Sequence, residues 1–171
     1  GVLYGVQTFI PHMLEHGEES YMVNTASLAA VMPMGGSYGV SKHGVLALTE
    51  GVQSDLEQRG ANIHAGVLCP GFVDTQIFNA ERNRPGVEQT QPDTEDPQYQ
   101  AAKAMLAKGK SPAEIADYVF TAMANKQFYM LPHPAWDEFV GSRTTQILAR
   151  QGVATMDLMA MLERSAQGEQ F

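Results

Sequence analysis

One cysteine, Cys69, is all that this chain has of that residue, so an internal disulfide is excluded and so are the paired-cysteine spacings of zinc sites. A lone thiol suits a reducing compartment, and a cytoplasmic location is expected. Long apolar runs are missing too. None approaches the roughly 20 residues that span a bilayer, and the N-terminus lacks the charged, apolar and cleavage regions of a signal peptide, so no membrane partner is expected. Basic residues are scarce: 11 stand against 19 acidic ones, the formal net charge is -8, and the basic residues form no run. Nucleic acid and anionic membrane are therefore poor partners, while small neutral or cationic ligands remain open.

What is present is enough for one sizeable core: 171 residues, of which 44% are hydrophobic. The opening "GVLYGVQTFIPHMLEHG" is already in helical phase, with Val2, Val6, Phe9, Ile10, Met13 and Leu14 three or four residues apart. Pro11 falls inside that pattern, where a kink or break is expected. The chain thus reads as starting within a helix. "SYMVNTAS" reads as a short buried strand ending in small polar residues, and "SYGVSKHGVLALTEGVQSDLEQRG" as a helix with Val40, Val45, Leu48, Val52 and Leu56 along one face. "NIHAGVLCPG" is a second strand, stopped by Pro70 and Gly71. This alternation predicts an α/β fold, a doubly wound parallel sheet whose ligands sit beyond the carboxyl ends of the strands.

From Thr75 to about Gly109 the text turns polar and acidic, with almost nothing apolar to anchor it, and reads as a surface excursion over residues 75–110, a substrate lid or loop. "SPAEIADYVFTAMAN" restores order with Ser111 and Glu114 spaced as a capping box. "QFYML" is a third strand and Phe139 to Arg150 a further helix. The tail, 151–171, is Met-rich at helical spacing, a pattern of packing rather than of a cofactor box. The whole of 1–171 reads as one partial domain.

"GGSYGVSKHG" holds two candidate sites at once. As G-x-S-x-G it would make Ser37 a hydrolase nucleophile, with Asp117 and His133 as conceivable partners. A nucleophile elbow, however, needs a strand running straight into a helix. Some ten loop residues intervene here, and the hydrolase reading is the weaker. As Y-x-x-x-K it places Tyr38 and Lys42 four residues apart on one helical face, so that the ammonium can favour the phenolate. Ser27, at the end of the first strand, could donate to a substrate oxygen that gains charge.

"VNTAS", "YGVSK", "LCPGFVDT" and "SPAEIADYVFTAM", in this order, resemble the short-chain dehydrogenase/reductase family over most of the chain. The resemblance implies a Rossmann-like fold and hydride transfer between NAD or NADP and a secondary alcohol or ketone. It implies that Tyr38 is the catalytic acid/base, that Lys42 assists it and binds the nicotinamide ribose, and that Ser27, with Thr25 as rival, orients the substrate carbonyl. Pro70, Gly71, Val73 and Thr75 would pack around the nicotinamide, and Asn24 would help hold the site together. A homodimer or homotetramer, paired through the helices at Gly1 to His16 and Gly39 to Gln58, is implied as well. The family's Gly-rich dinucleotide loop has no counterpart. The chain is accordingly expected to be the C-terminal part of a longer enzyme, inactive and without appreciable affinity for NAD or NADP on its own. The alternative is a non-catalytic fragment or assembly module that keeps the site residues without using them. His12, His16, His43 and His64 lack metal-ligand spacing, and His133 and Trp136 either line the pocket or pack the last helix.

Overall fold

A computed structural model describes residues 1–83, 94–153 and 164. Its elements run α1 (Val2–His16), β1 (Ser20–Thr25), α2 (Gly36–Gln58), β2 (Ile63–Leu68), α3 (Pro97–Ala107), α4 (Pro112–Ala124), β3 (Tyr129–Met130) and α5 (Asp137–Ala149). The strands are parallel, in the order β1-β2-β3, with Ser20 to Thr25 paired in register with Ile63 to Leu68, and Val67 and Leu68 with Tyr129 and Met130.

Side chains alternate across a strand, so a sheet covered on both faces needs apolar residues at successive positions. In β2, Ile63 and Ala65 pack with Leu56 of α2 and Ile10 and Met13 of α1, and Val67 packs with Val45 and Leu46 of α2. Leu68 points the other way, into Ile115, Ala122 and Met130 under α4. Helices therefore cover both faces, the doubly wound α/β arrangement that the alternation of elements predicts. Gly66 is the thin place on the α4 face. A Cβ there would press on Met130 and Tyr21, because Tyr21 lies across it to donate its hydroxyl to the Gln127 carbonyl.

Pro11 does not break α1. Both Pro11 and Gln7, whose carbonyl loses its helical partner, are exposed, so the carbonyl is open to solvent and the lost bond costs little. The apolar stripe of α1 is only partly used: Val6 is buried and Ile10 and Met13 pack on the core, while Phe9 and Leu14 are exposed, as are Leu3 and Tyr4 beside it. The capping box of α4 forms on both sides, with Glu114 N–H on Ser111 Oγ and Ser111 N–H on Glu114 Oε2. These hydrogen bonds also hold the Glu114 carboxyl below its ordinary range.

The excursion after β2 departs from its sequence reading. Ile77–Asn83 forms two short helical turns kinked at Asn79 and Pro97–Ala107 a regular helix, with Phe78 edge-on to Tyr99 at 5.0 Å between centroids. Its two ends are laced together. Val73 bridges Lys110, Asp74 N–H donates to the Lys110 carbonyl at 2.9 Å, and Gly109 leaves no room for a Cβ against the Phe72 carbonyl. The helix expected in the tail, 151–171, lies outside the described residues apart from 151–153 and 164.

Candidate active site

Pairing continues past the ends of β1 and β2. Ala26 N–H donates to the Leu68 carbonyl at 2.7 Å and Leu28 N–H to the Pro70 carbonyl at 3.0 Å. These bonds set Ser27 beside Pro70 and Gly71 at the carboxyl end of the sheet, where ligands bind in open α/β folds. Ser27 also caps the helical turn Leu28–Ala30: its Oγ accepts from Ala29 N–H at 3.2 Å. The hydroxyl proton is thereby aimed away from that amide.

From there the chain loops through Met32 to Gly35 into α2. Gly36 has φ +73°, a left-handed conformation open to glycine at little cost, and Gly39 packs against the Met34 carbonyl with no space for a Cβ. The tight loop presents Tyr38 in the first turns of α2, 51% exposed, toward the strand ends. Lys42 follows one turn later on the same face and holds its Nζ 5.5 Å from the Tyr38 ring centroid.

Ser27, Tyr38, Pro70 and Gly71 line one cleft of about 470 Å³, with Leu28, Met32, Phe72, Ile77, Phe78, Leu106 and Trp136 forming apolar walls. The remaining sequence candidates do not meet there. Lys42 is half-buried behind Tyr38, and Thr25 is exposed at the end of β1. Val73 turns into the core under α4, and Thr75 is exposed outside the lining. Asn24 is 8% exposed and donates its Nδ2–H to Thr49 Oγ1 at 3.0 Å, tying β1 to α2. Ser37 is exposed in the first turn of α2, twelve residues past β1 and outside the cleft lining.

The strongest feature that the sequence left undecided is His133. It is 1% exposed, accepts the Gly71 N–H at Nδ1 (3.1 Å) and donates from Nε2 to the Phe72 carbonyl at 2.9 Å. Burial pushes its pKa below the ordinary histidine value, and the hydrogen bond to Phe72 opposes this. The ring is therefore a neutral clamp on the backbone of the cleft floor, with both nitrogens committed. Trp136 lies in the wall and meets Phe72 at 6.0 Å between centroids. Cys69, 1% exposed beneath this floor, has its thiol pushed up to about 11, chiefly by burial. Among the described residues no cluster of His, Cys, Asp and Glu could hold a metal, and no helix is long and apolar enough to cross a membrane.

The family model for short chain dehydrogenases matches residues 1–86. The CLA biosynthesis dehydrogenase/reductase of Lactiplantibacillus plantarum is 32% identical over 157 residues, which is 85% of this chain and 54% of that protein. The C alpha-dehydrogenase of Sphingobium sp. is 25% identical over 98% of this chain and 53% of its own. Among solved structures, a short chain dehydrogenase/reductase from Burkholderia phymatum in complex with NAD is 36% identical, with a TM-score of 0.79 over 92% of this chain and 58% of that one. The chain belongs to the short-chain dehydrogenase/reductase family. It spans about half the length of these relatives.

Proposed function

We propose that these residues form the substrate and proton-transfer side of an NAD- or NADP-dependent oxidoreductase that interconverts a secondary alcohol and a ketone. The observation that carries this reading is the placement of Tyr38, backed by Lys42, at the mouth of the cleft that Ser27 lines. Tyr38 Oη would give its proton to the carbonyl oxygen in reduction and take it back in oxidation. Ser27 Oγ–H would hold that oxygen by a hydrogen bond that strengthens as charge develops. The Lys42 ammonium stabilises the phenolate left on Tyr38.

The residues present suit the nicotinamide end of such a cofactor. Gly71 is one sign of this: a Cβ there would press on Leu28 Cδ1 at 3.0 Å and on His133 and Trp136 at 3.3 Å, so the floor is tight at this point. Lys42 would hold the ribose, and Pro70 and Gly71, which line the cleft, the ring, which when bound supplies or accepts the hydride. The name of the Burkholderia structure, an NAD complex, supports the same class of cofactor. Ile77, Phe78 and Leu106, brought over the cleft by the laced excursion, support its role as a substrate lid that excludes water. Nicotinamide absorbance, followed with a panel of ketones and secondary alcohols in the protein that contains these residues, is the test. Turnover of panel members with NAD or NADP is expected; none with either nucleotide would contradict the reading.

A further inference from the structure

A second cavity, of about 530 Å³, opens across Met34 from the cleft just described. Met34 lines both. The walls of the second cavity combine apolar surface from Pro33, Ile147 and Val153 with four polar side chains, His43, Arg143, Gln146 and Gln151. Their arrangement is built from α2 outward. His43 donates from Nδ1 to the Gly39 carbonyl at 2.9 Å, which leaves Nε2 to accept from Arg143 Nη2 at 3.4 Å. The helix that carries Tyr38 thus orients, through His43, a half-buried guanidinium on the cavity wall.

Among the described residues no carboxylate pairs with Arg143, and Glu138, earlier on the same helix, is engaged by Arg164 at 3.6 Å. In a chain of net charge -8 an arginine with no acid paired to it among the described residues is conspicuous. Gln146, one turn on from Arg143, has its Oε1 buried with no hydrogen-bond partner. A buried amide oxygen left unpaired is costly, and such groups in native proteins call for a partner. An amide can turn over to present either its oxygen or its N–H₂, so a ligand oxygen could be met by Gln146 as well as by Arg143.

We propose that this cavity binds the carboxylate of an amphipathic substrate whose carbonyl or alcohol lies at Tyr38, with Arg143 as the specificity-determining residue. Guanidinium matches carboxylate with two parallel N–H···O bonds, a geometry that lysine lacks. The apolar cleft, the shared Met34 and the polar far wall then correspond to the apolar body and acidic end of one ligand. The assignment rests on the oxidoreductase reading above, and two separate readouts keep them distinguishable.

The probes are a series of aryl keto acids of increasing chain length and their methyl esters. Calorimetry measures binding of each pair to the protein that contains this chain, and nicotinamide absorbance measures reduction of the esters. At the best chain length the acid is expected to bind about tenfold or more tighter than its ester, worth at least about 1.4 kcal/mol. The advantage should vanish in Arg143→Gln and survive in part in Arg143→Lys, which keeps the cation. Equal binding of acid and ester throughout the series, or an advantage untouched by Arg143→Gln, overturns the carboxylate site. Esters that bind but are never reduced, with the Arg143-dependent advantage intact, sink the oxidoreductase reading and leave the site standing.

Discussion

Asn24 of β1 and Thr49 of α2 share a buried hydrogen bond of 3.0 Å, and Thr49 in turn donates to the Val45 carbonyl of its own helix at 2.7 Å. Thr49 lies seven residues from Lys42, two turns along the same face of α2. The bond fixes the rotation of α2 against the sheet and so aims the face that carries Tyr38 and Lys42. Asn24 therefore acts on the site through packing, at a distance from the cleft itself.

Removing Thr49 leaves the Asn24 amide buried without this partner, which costs roughly 1–3 kcal/mol. Thr49→Val should destabilise the fold by about that amount in denaturant unfolding, and Asn24→Leu by less, because Thr49 keeps its bond to the Val45 carbonyl. The pair of changes made together should cost clearly less than their sum, because neither then strands a polar group. Strict additivity would show that the bond carries no such weight.

His133→Leu removes both bonds of the cleft floor, leaving the Gly71 N–H and the Phe72 carbonyl, which also accepts from Lys110 N–H, to find other partners. A loss of roughly 2–4 kcal/mol is expected for a buried change of this kind. His133 also sets a pH dependence. Its folded pKa lies below the unfolded value of about 6.5, so below that pH the unfolded state binds the proton first. Stability is then fully present above about 6.5 and falls as the solution is acidified. In His133→Gln this part of the acid sensitivity should be gone; thermal melts at pH 7.5 and 5.5 would reveal it, and an unchanged acid shift would contradict the assignment.

Leu3, Tyr4 and Phe9 of α1 and Val40 of α2 are exposed, from 52% to 73% of their surface. Large apolar side chains left open on two helices favour association between copies of the chain. Light scattering on the protein that contains these residues should give a dimer or a tetramer. Val40→Glu should shift it toward smaller species, and a monomer at micromolar concentration before any substitution would end the proposal.

The sheet was legible because its strands are continuous apolar runs ending in small or turn-forming residues: Met22 and Val23 before Asn24, and Ala65 to Cys69 before Pro70. The Tyr38/Lys42 pair was legible because helical spacing fixes i and i+4 on one face. What escaped notice depends on contacts distant in sequence. Phe78 and Leu106 look isolated in a polar stretch, and contacts between its two ends, the Val73–Lys110 bridge among them, bring them to the cleft. His133 contacts Gly71 from 62 positions away, and no local pattern encodes that clamp. Pro11 misled in the other direction, since a helix exposed on that side tolerates the lost bond.

The most direct test is Tyr38→Phe in the protein that contains this chain, with hydride transfer to a ketone followed in a single turnover and nucleotide binding measured alongside. The substitution keeps the ring beside Lys42 and deletes only the hydroxyl that would move the proton. The rate of transfer should fall about 10²- to 10⁴-fold, with the nucleotide dissociation constant changed only a little. Transfer within a few-fold of the unsubstituted protein would contradict the central claim that Tyr38 is the acid/base of this site.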